Sequence, residues 1–196
     1  SYDYDENGIR TSKTINGTEH KYILNGSQIV AELWGNQIVI YLYDETGSAY
    51  SFIYNGTQYY YVKNLQGDVQ RIYTANGTLV GEYHYDAWGN ILNESSLTEI
   101  AQLNPFRYRG YYYDTETGFY YLQSRYYDPA IRRFINADGY INANGDILGF
   151  NMYAYCGNNP VMGYDPTGEW DWGTFFDVTI NIGSSILAVG VGTLVR

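Results

Sequence analysis

Glycine recurs through the first half of the chain at a nearly fixed interval. Gly8, Gly17, Gly26, Gly35, Gly47, Gly56, Gly67, Gly77 and Gly89 follow one another every 9 to 12 residues. Most stand in turn-forming pairs such as Asn16-Gly17, Asn25-Gly26, Gly35-Asn36, Asn55-Gly56, Gly67-Asp68 and Asn76-Gly77. An Asn-Gly pair accepts positive φ at both central positions of a tight hairpin turn, which β-branched and bulky residues do not. The runs between these pairs alternate or are rich in β-formers, as in Gln37-Ile38-Val39-Ile40-Tyr41-Leu42-Tyr43 and Thr57-Gln58-Tyr59-Tyr60-Tyr61-Val62. Spacing and turn chemistry together predict a serial array of β-hairpins over residues 1–93.

Inside the array a shorter unit repeats: Tyr-x-Tyr-Asp, a gap, then Gly. It reads Tyr2-Asp3-Tyr4-Asp5, Tyr41-Leu42-Tyr43-Asp44 and Tyr83-His84-Tyr85-Asp86, with a fourth, related copy at Tyr112-Tyr113-Asp114. Residues two apart share a strand face, so the tyrosines form an aromatic ladder and the aspartate side chain starts the turn. Repetition makes this an internal repeat. The 25 tyrosines and 22 glycines fit pleated surfaces joined by tight turns and do not fit helical bundles.

Charge and cysteine content exclude several function classes. A net charge of −10 and an isoelectric point near 4.4 argue against nucleic-acid binding, which needs clustered Lys and Arg. Cys156 is the only cysteine and His20 and His84 the only histidines, so neither a disulfide nor a metal site is expected, and no cofactor motif is present. Asn16, Asn25, Asn55, Asn76 and Asn93 open Asn-x-Ser/Thr triplets, but four of these are Asn-Gly turns, and turn chemistry explains them without glycosylation. The N-terminus shows no basic stretch followed by an apolar run, so no signal peptide is expected in this stretch. The chain starts in mid-pattern, as a piece of something longer would.

Residues 94–104 lack the glycine punctuation. Ser95 or Ser96 is expected to cap a short helix with Leu97, Ile100, Ala101 and Leu103 on one face, stopped by Asn104-Pro105. The segment after it is dense in aspartates beside turn formers: Asp128-Pro129, Asp138-Gly139 and Asp165-Pro166, with Asp146 between them. Such pairs are ordinary turn starters. They are also the chain's best candidates for chemistry, since two carboxylates close enough to share a proton can divide acid and base roles. From Val178 to Val195 the chain carries no charge, a length at the short limit for a membrane span. Its Asn, Ser and Gly content favours a buried helix or the start of another domain.

The ordered set of the Tyr-Asp repeats, Arg125-Tyr126-Tyr127-Asp128-Pro129, Asn151-Met152-Tyr153-Ala154-Tyr155, Asn158-Asn159-Pro160 and Asp165-Pro166-Thr167-Gly168 resembles an Rhs protein. The resemblance is to the last YD repeats and the Rhs repeat-associated core domain, related to the shell of the Tc toxin C component. It implies an all-β fold, a spiral shell of YD hairpins (1–93) closed by a core-domain plug (94–169), with residues 170–196 opening a variable C-terminal toxin region. It further implies a single-turnover aspartyl autoprotease with Asp138 and Asp165 as the catalytic pair and Arg133 positioning or charge-balancing a carboxylate. The scissile bond would be Glu169-Trp170. The implied partners are the chain's own toxin, the upstream repeats and a delivery machine, in a secreted or surface-associated bacterial protein. The sequence departs from the family pattern at Gly139, Glu169 and Arg132 and in an insert at 140–145, which brings Asp146 forward as another candidate. The rival reading is a non-catalytic structural or adhesive repeat whose aromatic hairpins bind cell wall or carbohydrate.

Overall fold

The computed structural model describes residues 1–138 and 151–169. Nine antiparallel strands form one sheet in strict chain order: β1 (Tyr2–Tyr4), β2 (Arg10–Ile15), β3 (Thr18–Asn25), β4 (Gln28–Trp34), β5 (Gln37–Tyr43), β6 (Ala49–Tyr54), β7 (Thr57–Lys63), β8 (Val69–Thr74) and β9 (Leu79–Glu82). Each strand pairs only with its neighbours in sequence, so the sheet is the serial hairpin array. A second, four-stranded sheet follows: β10 (Tyr112–Asp114), β11 (Phe119–Leu122), β12 (Arg125–Asp128) and β13 (Arg133–Phe134). We call the large sheet the wall and the later part the plug.

Two kinds of turn alternate between the wall's rims. On one rim, Asn16-Gly17 and Asn55-Gly56 make two-residue turns with both residues at positive φ. On the other, beside a two-residue Gly26-Ser27 turn, an acid or amide side chain folds longer turns around itself. Asp5 Oδ1 accepts the amides of Asn7 and Ile9, Asp44 Oδ1 those of Thr46 and Ser48, and Asp86 Oδ1 those of Trp88 and Asn90. Asn64 does the same for Gln66 and Asp68. The repeated aspartates are therefore turn organisers, as their spacing implied. Asp114 is the exception: its turn closes through its backbone carbonyl, and its carboxylate points back to the wall.

The plug packs on one face of the wall. Tyr22, Val39, Tyr41, Phe52, Ile72 and Tyr83 meet Leu97, Ala101, Phe106, Tyr112 and Tyr121 in a single buried cluster. Ile23, Ile38 and Val62, on the opposite face, are exposed. A second cluster lies inside the plug around Tyr111, Tyr120, Tyr127, Phe134 and Tyr155. The two are joined at the Asp86 turn, whose carbonyls at Ala87, Trp88 and Gly89 accept the hydroxyls of Tyr108, Tyr127 and Tyr120. Buried tyrosines need such partners, and here the wall supplies them. Gly89 has φ +90°, and a Cβ there would come within 2.7 Å of the Tyr108 ring.

The connecting helix is shorter than the sequence suggests. α1 spans Glu99–Leu103, and its N-cap is Thr98, whose hydroxyl accepts the Ala101 amide at 3.2 Å. Ser95 and Ser96 do not cap it, because a separate 3-10 turn at Glu94–Ser96 is followed by extended backbone at Leu97. Asn104 ends the helix as expected. Among the described residues no helix is long and apolar enough to cross a membrane, and the uncharged run of residues 178–195 lies outside them.

Candidate functional site

The site is assembled on β12. Leu122 and Arg125 close a tight hairpin in which Gln123 takes φ +60°, and β12 then runs antiparallel to both β11 and β13. Side chains alternate along β12: Tyr126 faces the wall cluster, whereas Arg125 and Tyr127 face into the plug. Arg125 is 3% exposed and lies over Phe134, its guanidinium carbon 3.6 Å from the ring centroid.

Three returning segments converge on that guanidinium. Residues 151–154 come back beside β13, with Ala154 bridged to Arg133, and Met152 O accepts both the Asp138 amide at 2.9 Å and Arg125 Nη1 at 3.1 Å. Asp138 Oδ2 and Asp165 Oδ2 stand 3.0 and 3.3 Å from Arg125 Nη2. The two carboxylates thus share one donor nitrogen and lie within two hydrogen-bond lengths of each other. Arg125 Nε donates to the carbonyl of Gly168, and Ser124 holds the Thr167 carbonyl through both its hydroxyl and its amide.

Asp165 is the more deeply placed carboxylate, 1% exposed. Its Oδ1 accepts the Gly168 amide at 2.9 Å, and its own amide donates to the Tyr111 hydroxyl at 3.1 Å. Burial pushes its pKa up to about 6, with Asp138 adding to the rise; Arg125 and the amides of Gly168 and Thr167 pull the other way. Burial also draws Arg125 below the ordinary arginine value, against the pull of both aspartates. The Asp138 side chain keeps an edge at the solvent, at 10% exposure.

Gly168 is held where only glycine fits. Its φ is +78°, and a Cβ would lie 2.7 Å from both the Leu122 carbonyl oxygen and Ser124 Oγ. The chain leading to Glu169 is therefore pressed against the β11–β12 turn, three residues after Asp165.

The structure thus brings Asp138 and Asp165 together on Arg125, which also holds the carbonyl of Gly168, the residue before exposed Glu169. It does not bring in Arg133, which sits on the exposed side of β13; the guanidinium at the carboxylates is that of Arg125. Arg133 is the arginine that the family resemblance implies, through its place in Arg133-Phe134. Strand alternation on β12, which puts Arg125 on the face of buried Tyr127, is the signal that would have identified the right arginine. Asp128 belongs to a turn, accepting the Ala130 amide at 2.8 Å. Trp170, Asp146 and the 140–145 insert lie outside the described residues. Among the described residues no three His, Cys, Asp or Glu side chains are grouped to hold a metal.

Residues 1–161 match the family profile described as Teneurin YD-shell. The chain is 41% identical over 176 residues to the tRNA nuclease WapA of Bacillus subtilis strain 168, an alignment covering 88% of this chain and 8% of that protein. It is 37% identical over 103 residues to double-stranded DNA deaminase toxin A of Burkholderia cenocepacia strain H111, covering 52% of this chain and 7% of that one. Among solved structures, a crystal structure of TcdB2-TccC3-Cdc42 superposes with a TM-score of 0.67 at 23% identity, over 91% of this chain and 9% of that one. The chain therefore spans less than a tenth of each of these proteins.

Proposed function

The chain belongs to the Teneurin YD-shell family, and from that membership we propose that it is the closing part of a toxin-enclosing β shell whose plug cuts its own chain at Glu169-Trp170. The observation that carries the cutting step is the convergence of Asp138 and Asp165 on buried Arg125, directly against the segment that ends in Gly168 and Glu169.

The division of labour follows from burial. Asp138, with its edge at solvent, takes a proton from the attacking water, whose oxygen bonds to the Glu169 carbonyl carbon. Asp165, held partly protonated near neutrality by burial, gives its proton to the departing Trp170 nitrogen as the C–N bond breaks. Arg125 holds both carboxylates in register and anchors the Gly168 carbonyl, fixing the chain one residue before the scissile bond. The new carboxylate at Glu169 stays tethered beside the pair, so the reaction runs once per chain.

The cargo reading rests on the relatives. One is named a tRNA nuclease and another a DNA deaminase toxin, so residues 170–196 are the opening of such a cargo, released by the cut inside a shell built with upstream repeats. On this reading the protein is secreted or surface-associated and works with a delivery machine. An adhesive role would fall to the exposed rings of Tyr4, Tyr50 and Tyr153, whereas Tyr22, Tyr41, Tyr83, Tyr112 and Tyr121 are committed to the contact between wall and plug.

The test is a cleavage time course on the purified 196-residue chain beside Asp138→Asn and Asp165→Asn. The wild-type chain converts to a shorter product and both variants remain whole. Conversion that persists in both variants removes the aspartyl mechanism, and a wild-type chain that never converts leaves a purely structural plug.

A further inference from the structure

The first wall hairpin, β1–β2, reaches across to the plug and ends on the back of β12. Arg10, fully buried, pairs its Nη1 with Asp114 Oδ2 at 2.6 Å, and Lys13 pairs with Asp114 Oδ1 at 2.9 Å. The Arg10 amide donates to the Tyr121 hydroxyl at 2.9 Å. Tyr126, which neighbours Arg125 in sequence, meets the Tyr4 hydroxyl at 2.7 Å and accepts from Arg10 Nη1 at 3.4 Å.

Arg10 Nε and Nη2 have no hydrogen-bond partner. Their guanidinium instead sits among tyrosine rings, with centroids at 4.3 Å for Tyr121, 4.8 Å for Tyr112 and 5.1 Å for Tyr2. A caged cation with one carboxylate partner is stable only while both surfaces stay together; parted, each side exposes a charge built for burial.

The geometry of β12 turns this pairing into a relay. Tyr126 points to the hairpin and Arg125 to the aspartates from the same short strand, so displacement of one face displaces the other. Asp114 lies on β10, joined to β12 through β11. We propose that Arg10, Asp114 and Tyr126 form a latch by which the docked β1–β2 hairpin positions Arg125, so that the aspartate pair is set for cleavage only once the wall has closed on the plug. The latch regulates the site described above and rests on that reading for its consequence, though not for its geometry.

This gives three positioning residues, all of which act through Arg125. It also gives the aspartate of the fourth Tyr-Asp copy a task other than turn formation. The order of events follows: wall first, cut second, so the cargo stays attached while the shell is incomplete.

The test uses the 196-residue chain with Arg10→Met, Arg10→Lys and Tyr126→Phe, and Glu82→Gln as a control that breaks an exposed pair with Arg71 elsewhere in the wall. Arg10→Met slows cleavage by about tenfold or more, the loss expected when a catalytic group shifts by a fraction of a bond length. Arg10→Lys recovers most of the rate, Tyr126→Phe slows it several-fold and Glu82→Gln leaves it unchanged. In parallel, amide exchange is followed in a non-cleaving Asp138→Asn background. Arg10→Met speeds exchange across residues 125–128 and leaves β5 and β6 as protected as before. If Arg10→Met prevents folding, Tyr126→Phe, which removes only a hydroxyl, carries both readouts. Wild-type rates in Arg10→Met and Tyr126→Phe, or unchanged exchange at 125–128, overturn the latch. If no chain cleaves at all, the proteolytic reading falls and exchange alone decides the latch.

Discussion

Gly168 shows how narrowly one residue can constrain this site. Its positive φ and the 2.7 Å approach of a Cβ to the Leu122 carbonyl leave no room for a side chain. Gly168→Ala should push the segment off the β11–β12 turn and slow self-cleavage by roughly tenfold or more, with the β-sheet circular dichroism retained. A variant that cleaves at the wild-type rate would show that the docking of this segment does not govern the reaction. Asp165 makes a second statement at this scale. Its folded pKa of about 6 lies above the ordinary carboxylate value, so the stability linked to its protonated form is complete below about 4 and is lost as pH rises through 6. In the non-cleaving Asp138→Asn background burial remains but the contribution of Asp138 is gone, and adding Asp165→Asn should remove that loss, a difference of at most about 3 kcal/mol between pH 4 and pH 8. Thermal melts of the two chains across that range measure it, and parallel pH profiles would contradict the burial of a titrating Asp165. Not every residue was legible beforehand. Asp138 and Asp165 stand out in the sequence as acids beside turn formers, but Arg125 joins them only because chain 27 to 40 residues downstream folds back onto it. The family resemblance points to Arg133, and alternation on a two-residue strand turns it outward.

The turns are the elements on which sequence speaks most directly. Asn-Gly pairs at positive φ and aspartates that accept two amides each are local devices, complete within five residues, so spacing alone reveals them. What spacing does not reveal is that two similar turns carry different weight. The Asp44 turn stands exposed on the rim, whereas the Asp86 turn offers three carbonyls to buried plug tyrosines. Asp86→Ala should therefore destabilise the chain by on the order of 2 kcal/mol more than Asp44→Ala, because it strands buried hydroxyls as well as opening a turn. Chemical denaturation of the two variants tests this, and equal losses would mean that the turn does not hold the plug. The helix cap went the same way. Ser95 and Ser96 are the expected caps, but the separate turn at Glu94–Ser96 takes them, and Thr98, with the same hydroxyl chemistry, caps α1.

At the scale of the molecule, the nine-stranded order is a consequence of repetition: each hairpin pairs with the next, so chain order becomes sheet order. The plug has no such periodicity, and its arrangement depends on contacts between residues 40 to more than 100 positions apart, from Arg125–Asp165 to Arg10–Asp114. Wall and plug share one aromatic core, so the carboxylate pair exists only in the folded whole. The most direct measurement is therefore the intact mass of the 196-residue chain after folding and incubation near pH 6. Cleavage by the carboxylate pair yields a fragment ending at Glu169 and a peptide beginning at Trp170. A whole chain, or fragments ending elsewhere, would mean that this pair does not cut Glu169-Trp170.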